Sequence, residues 1–370
     1  MKRVLMFADF PAESMIKGPS VHTLSLIEGF KDCDDIELRI VDFKSERGES
    51  RNLTIAQNIS VSIVPIRWPL TFYNIATRYG QYVKEIREFQ PDIVHFTDPH
   101  QVNAMRFCGH IPHVLTIHGH FFNEHGLVSE SLKRKLTRKA YFNESFRGLK
   151  LAANIILLSE YSKNEVAPYI TGRTFNLGQP IPSDVFEIAR TQSSPVVLCV
   201  GNVAKIKGQD RLVEVHSEFP EGTETRIAGA IRDPGYVAQL KEVIKNKKIV
   251  GLTFLGGLER DAIFKQLSQA RILVCPSRLE NMPYAILEAC AVGIPCVSYN
   301  VGGINEVIKS GENGFVVDNQ DEFVAAVNTL LIDETVYAEM SIKAKNSVQA
   351  LKPDLVCREL KSIYQQILTL

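Results

Sequence analysis

Short runs of β-branched and aliphatic residues alternate with amphipathic stretches from one end of the chain to the other. The runs RVLMFAD, IELRIVDF, DIVHFTD, HVLTIHG and NIILLSE in the first half, then PVVLCVG, LTFLGG, RILVCPS and GFVVD in the second, read as buried strands. Between them, Thr71 to Phe89, Pro234 to Lys248 and Ala262 to Ala270 carry the spacing of helices with one buried face. Strand and helix in succession predict parallel sheets covered by helices on both faces. The alternation runs twice. It breaks at GQPIPSDVFEIARTQSSP, residues 178 to 195, where Pro180, Pro182, Pro195 and the polar TQSS interrupt the pattern before a new strand begins. The expectation is therefore an α/β chain of two Rossmann-like domains with a cleft between them. Residues 1–180 form the first domain, 181–194 a linker and 195–353 the second domain, and an amphipathic helix over 354–370 completes the first.

Composition agrees with two cores and removes several function classes. A chain of 370 residues with 45% hydrophobic side chains can bury both domains. Its 42 basic and 42 acidic residues cancel, so no global field draws it to nucleic acid or to a membrane. The seven cysteines, Cys33, Cys108, Cys199, Cys275, Cys290, Cys296 and Cys357, are scattered and form no C-x-x-C pair. They read as free thiols in a reducing compartment rather than as zinc ligands or a disulfide framework. The apolar run after the basic start MKR extends only from Val4 to Ala8, too short for a signal peptide, and no stretch approaches the ~20 apolar residues of a membrane span. A cytoplasmic protein is expected.

The chemistry concentrates in SRLENMPYAILEACAVGIPCVSYNVGG, residues 277 to 303, where Glu280 and Glu288 stand on either side of Pro283 in an otherwise apolar segment. Proline disfavours helix at the residue before it and suits a first turn, so the spacing predicts a helix from near Pro283 to about Val292. Glu280 and Met282 then lie in the preceding loop, and Glu288 lies about 7 Å along the helix. The strand RILVCPS delivers this loop to the carboxyl edge of the second sheet, where open α/β sheets bind ligands. The amides of Tyr284, Ala285 and Ile286 lack intrahelical partners there and make an anion site. A diphosphate on those amides places a ribose near Glu288 and whatever hangs from the other phosphate near Glu280. On spacing alone two bland roles stay open: a carboxylate near a helix N-terminus as dipole partner, and one further in as a solvated face.

Beyond that geometry, Ser277, Glu280, Pro283, Glu288, Ala289, Gly293, Pro295, Gly302, Gly303, Glu306, Gly311, Asn313 and Gly314 form a pattern. It resembles the C-terminal signature of the retaining GT-B glycosyltransferases, the "glycosyl transferases group 1" (family 4) type. The resemblance extends to GNVAKIKG, residues 201 to 208, and more weakly over the whole chain. It implies a GT-B fold, with Glu280 on hydroxyls of a donor sugar, Glu288 on the ribose, and a basic pair on the 201–208 loop gripping the diphosphate. This chain keeps Lys207 but has Asn202 where such enzymes usually have arginine, so Lys205 is the candidate stand-in. The glycine-rich turn of the first domain, usually two adjacent glycines, here reads Lys17-Gly18-Pro19-Ser20; Gly18 still allows close backbone approach to the ligand, while Pro19 removes a donor.

The same resemblance assigns His118, which ends the strand of HVLTIHGH, to a place beside the donor sugar. His95 and His120 read as structural, and His118 and His120 on one strand have no carboxylate nearby in sequence to make a metal site. No metal and no cofactor are expected: helix amides and Lys207 take the charge that builds on the departing diphosphate. The resemblance further implies retention of anomeric configuration. Glu280 is not given the role of nucleophile.

Residues 131 to 150, SLKRKLTRKAYFNESFRGLK, set seven cations, among them Lys133, Arg134, Lys135, Arg138 and Lys139, against Glu144 alone. A solvated helical face is the plain reading. The sharper one is contact with anionic headgroups or a lipid-linked acceptor, as in cell-envelope polysaccharide, lipopolysaccharide or glycolipid assembly, with the protein peripheral on the cytoplasmic membrane face. Two other functions stay open, a non-catalytic glycosyltransferase-like subunit and a GT-B sugar-nucleotide epimerase. A nicotinamide dehydrogenase is disfavoured, since no G-x-G-x-x-G follows a predicted strand.

Overall fold

The structure, a computed structural model, describes residues 1–11, 18–44, 49–65, 72–118, 132–191 and 195–369, with backbone only for 72–78 and 132–138. The chain divides into one unit of Met1–Pro11, Pro19–Pro180 and Pro353–Leu370, and another that includes Ile181–Lys352.

In the first unit, β1 (Lys2–Phe7), β2 (Ile36–Lys44), β3 (Arg51–Ala56), β4 (Ile59–Pro65), β5 (Ile93–Phe96), β6 (His113–Ile117), β7 (Asn154–Leu157) and β8 (Arg173–Asn176) form one sheet in the order β3-β4-β2-β1-β5-β6-β7-β8. Side chains alternate across it. Val4 and Met6 of β1 join a core closed by the helix Pro353–Leu368, whereas Leu5 and Phe7 join the core on the other face. That helix buries Val356, Cys357, Leu360, Ile363, Tyr364 and Ile367, a stripe at helical spacing. Strand order reverses around β1, between β2 and β5, which makes the carboxyl ends of β1 and β5 the switch point of this sheet.

The second sheet holds β9 (Val196–Val200), β10 (Glu224–Ala228), β11 (Leu252–Gly256), β12 (Ile272–Cys275), β13 (Cys296–Tyr299) and β14 (Gly314–Val317) in the order β11-β10-β9-β12-β13-β14, parallel throughout. This is the doubly wound order, and it switches between β9 and β12.

Two expectations are corrected. The first sheet is not wholly parallel, because β3 pairs antiparallel with β4 in an edge hairpin. The β3 side chains are largely exposed, so RNLTIA lacks the apolar signal of a buried strand. The hairpin is anchored by Asn58, whose side-chain amide donates to the carbonyls of Phe30 and Cys33 at 2.9 Å and of Ile36 at 3.1 Å. The segment expected as a linker is, over its described residues 181–191, part of the second unit. It carries a short helix, Ser183–Phe186, whose Val185 packs with Ile181 into that unit's core. Arg190 then donates to the carbonyls of Gly293 at 2.9 Å and Ala270 at 2.7 Å. Prolines at 180 and 182 steer the chain without releasing it from the core.

Candidate functional site

The loops after β9 and β12 leave the carboxyl edge of the second sheet side by side, and they bring Lys207 to Glu280. Lys207 Nζ lies 2.6 Å from Glu280 Oε1, and the same oxygen accepts from Ser277 Oγ at 2.7 Å. Glu280 is only 7% exposed. Burial alone would pull Lys207 down, but the Glu280 carboxylate outweighs it and holds the ammonium above its ordinary range. Beneath the pair, the buried thiols of Cys199 and Cys275 are pushed up by burial and, in Cys275, by Glu280, so neither is a thiolate.

The Glu280 loop is shaped from the other side by Gly302 and Gly303. Gly302 has φ +58°, and a Cβ there would fall 1.5 Å from the Glu280 carbonyl oxygen, while the Gly303 amide donates to the Asn281 carbonyl at 3.1 Å. A Gly302→Ala variant is accordingly expected to displace this loop and to lose at least the ~1–3 kcal/mol of strain at a left-handed backbone position, read as a lowered melting temperature. An unchanged melt would refute the close approach.

Helix Tyr284–Val292 begins where the sequence places it, with Pro283 at its N-cap and Gly293, φ +83°, at its end. The anion cradle needs one correction. The Ile286 amide donates to the Pro283 carbonyl at 3.1 Å, so Tyr284 and Ala285 alone keep their amides clear among the described residues. Pro283 sits in extended geometry with ψ 124°, which turns its carbonyl to meet that N–H. Met282 packs against the second core.

Glu288 is not on a solvated face. It is 8% exposed in the helix interior, one turn on from Tyr284, whose hydroxyl is buried and unpartnered among the described residues. Among the described residues nothing donates a hydrogen bond to its carboxylate. Burial pushes the Glu288 carboxyl up to about 7, Arg260 pulling it down and Asp184 pushing it up as lesser effects. A largely buried carboxyl that titrates near neutrality and takes no hydrogen bond from the described residues is suited to accept from the hydroxyls of a ligand.

Asn202 is exposed, and its carbonyl accepts from Gln209 Nε2 at 3.1 Å. Lys205 is exposed too. Sequence reasoning gave no role to Arg278 or Asp210, which form a bidentate pair at 2.8 and 2.6 Å, nor to Tyr236, which donates to Asp210 at 2.6 Å. These residues lie far apart in the chain, so no local spacing signals them.

In the first unit, the carboxyl ends of β5 and β6 gather Asp98 and His118. Burial pulls His118 down to about 4 against the opposing charge of Asp98, so its imidazole is neutral at physiological pH. Asp98 accepts from His100 Nδ1 at 2.6 Å and from the Tyr141 hydroxyl; against the opposing effect of burial, these partners hold it below its ordinary range. His22, on helix Gly18–Phe30, meets the His118 ring edge to face with centroids 4.4 Å apart. His95 is a structural residue, held by the hydroxyls of Tyr364 at 2.6 Å and Thr116 at 2.7 Å. Gly18 opens its helix without a left-handed backbone, and His120 lies outside the described residues.

The basic stretch forms helix Leu132–Leu151. The side chains of Lys133, Arg134, Lys135 and Arg138 lie outside the described residues, and Lys139 is exposed. Glu144, the stretch's one carboxylate, pairs with Arg147 at 2.5 Å and accepts from Tyr79 at 2.7 Å. Among the described residues no helix is long and apolar enough to cross a membrane.

Solved structures of similar fold give the fold class as GT-B. Sucrose-phosphate synthase from Thermosynechococcus elongatus matches with a TM-score of 0.84 and 16% identity over 100% of both chains. The Anabaena protein HepE, in complex with UDP and glucose, matches with a TM-score of 0.76 and 16% identity over 99% of this chain and 100% of that one. Two family profiles then take up most of the sequence, Glycosyltransferase Family 4 over residues 16–172 and Glycosyl transferases group 1 over 181–347. The chain belongs to this glycosyltransferase family. Among curated relatives, N-acetyl-alpha-D-glucosaminyl L-malate synthase of Bacillus anthracis is 25% identical over 186 residues, 49% of this chain and 48% of that protein. Glycogen synthase of Mycobacterium tuberculosis is 26% identical over 285 residues, 72% of this chain and 67% of that protein. The chain thus spans about half to two thirds of the length of these relatives.

Proposed function

We propose that this protein moves a sugar from a nucleoside-diphosphate sugar to an acceptor hydroxyl with retention of anomeric configuration. The observation that carries the proposal is the Lys207–Glu280 pair at the β9/β12 switch point, beside a helix whose N-terminus has two clear amides and whose second turn carries the largely buried carboxyl of Glu288. In this reading the Tyr284 and Ala285 amides and Lys207 take the negative charge that grows on the leaving diphosphate, without a metal. Glu280 accepts from a sugar hydroxyl through its second carboxylate oxygen, Glu288 accepts from the ribose, and neutral His118 serves the donor sugar as a hydrogen-bonding group rather than as a cation. The acceptor is a glycan or a lipid-linked glycan of the cell envelope. The basic helix Leu132–Leu151 supports a peripheral contact with anionic lipid on the cytoplasmic face. A mycobacterial relative, 26% identical over 171 residues, carries the name of a phosphatidylinositol monomannoside mannosyltransferase.

Binding of UDP, GDP and ADP, read by thermal shift without metal, tests the donor site. One of them is expected to stabilise the protein by about 2.7 kcal/mol at a hundred times its Kd, and Glu288→Ala is expected to remove that stabilisation. Since the Glu288 carboxyl titrates at about 7, affinity should weaken as pH falls from 8 to 6, when the protonated form loses acceptor capacity. No shift with any nucleotide at millimolar concentration would refute the proposal. It would favour the non-catalytic subunit, a reading that the exposed Asn202 in place of a phosphate-binding arginine supports. Nucleotide-sugar turnover without acceptor would mark the epimerase instead.

A further inference from the structure

Lys207 carries a flexible stem, so its usefulness to a diphosphate depends on what fixes the backbone beneath it. That backbone is gripped from the neighbouring loop by Arg278. Arg278 donates its amide to the Ile206 carbonyl at 2.8 Å and Nη1 to the Lys205 carbonyl at 2.8 Å. The same guanidinium forks onto Asp210, Nη1 to Oδ1 at 2.8 Å and Nη2 to Oδ2 at 2.6 Å. Lys207 is thus bracketed from 205–206 on one side and from 210 on the other. Asp210 is itself fixed, because its amide donates to the Tyr236 hydroxyl at 2.8 Å and its Oδ1 accepts from it at 2.6 Å. The loops lie so close that a Cβ on Gly208, φ +67°, would fall 2.0 Å from the Pro276 carbonyl oxygen. Arg278 also stands two residues before Glu280. Arg211 adds longer contacts between the same loops, its Nη1 donating to the Pro276 carbonyl at 3.4 Å and the Ser277 carbonyl at 3.5 Å. Arg278 makes the shorter ones and, among the described residues of that neighbouring loop, alone grips the backbone on the N-terminal side of Lys207.

We infer that Arg278, clamped on Asp210 and the Lys205 carbonyl, is a positioning residue of the donor site that acts through Lys207 rather than by touching the nucleotide. The inference rests on the function proposed above. Both terminal nitrogens are occupied by protein acceptors, which separates Arg278 from the arginine expected at position 202: that one would bind phosphate, whereas this one holds the remaining lysine in place. A lysine at 278 offers one point charge where the geometry uses a fork, so it does not replace arginine.

A double-mutant cycle tests this, with UDP, GDP and ADP as probes and calorimetric Kd as readout. Arg278→Met is expected to weaken the preferred nucleotide about 10-fold in the otherwise unchanged protein and by less than about 2-fold in a Lys207→Met background, the signature of a residue that works through its neighbour. Arg278→Lys should restore little. Asp210→Asn, which loosens the fork and leaves the Arg278 amide in place, should fold if Arg278→Met does not, and is expected to weaken binding about 3-fold with the same dependence on Lys207. Equal losses in both backgrounds, or no loss from either variant, would overturn the inference while leaving the donor site standing. A parent protein that binds none of the three nucleotides would overturn the functional reading and this inference with it.

Discussion

Lys207→Met should lower sugar transfer by about 10²- to 10³-fold, the usual consequence of removing one fixed donor from a developing oxyanion. Lys207 is the fixed cation of its loop, since position 202 is asparagine and Lys205 extends into solvent. The variant should also be less stable, because the Glu280 carboxylate would stay buried with only the Ser277 hydroxyl and the weak Cys275 thiol donating to it among the described residues. Breaking one side of a buried pair typically costs about 3–5 kcal/mol, partly recovered if the stranded group takes a proton. The two effects separate in Lys207→Met/Glu280→Gln. The double variant should regain most of the lost melting temperature, since no charge is left unpaired, yet transfer no faster than Lys207→Met. Turnover of Lys207→Met within a factor of three of the parent would remove Lys207 from the mechanism.

The second large effect is an acid lability of the first unit. His22 is 1% exposed, with both ring nitrogens unpartnered among the described residues, and His95 is 0% exposed. Burial holds His95 down to about 3 and His118 down to about 4, and drives His22 well below its ordinary range. In the unfolded chain each titrates near 6.5. Between that pH and the folded values the unfolded chain binds protons the folded one refuses, so stability is intact above 6.5 and falls as pH drops, by up to ~1.4 kcal/mol per pH unit for each histidine. Asp98, held low when folded, adds a loss at lower pH, while Asp42 and Glu85, raised by burial, oppose it. In the second unit Glu288 works the other way: its carboxyl, at about 7 when folded, takes up a proton that the unfolded chain does not bind until below 4.5, and acidification through that window stabilises the fold. Calorimetry from pH 7.5 to 5 should show one transition falling steeply, and His95→Gln should flatten its slope by about one proton. A transition temperature independent of pH over that range would show that these imidazoles are solvated.

The readable parts of this molecule were those written in local patterns. Strands buried on both faces, such as β1, β5 and β9, are continuous apolar runs, and Pro283 and Gly293 bracket their helix as proline and glycine chemistry dictates. The carboxylates at 280 and 288 stood out because they interrupt such a run. What the pattern concealed depends on partners distant in sequence. The β3–β4 hairpin is held by Asn58 reaching back to carbonyls 22 to 28 residues away, and Arg278 finds Asp210 across 68 residues. The Ile286 amide was misjudged for a different reason. Counting orphan N–H groups supposes that the N-cap carbonyl serves only the fourth residue on, whereas the Pro283 carbonyl accepts from both Ile286 at 3.1 Å and Leu287 at 3.3 Å.

The helix Pro353–Leu368, whose Tyr364 meets His95 in the core of the first unit, makes that unit discontinuous in the chain. On the ribosome, residues 1–180 emerge first and must wait with one face of their sheet unclosed while the whole second unit is made. That unit is free to fold as it appears. The half synthesised earliest thus finishes last, and the interval in which β1, β2 and β5 expose an apolar face is when this protein most needs protection from aggregation.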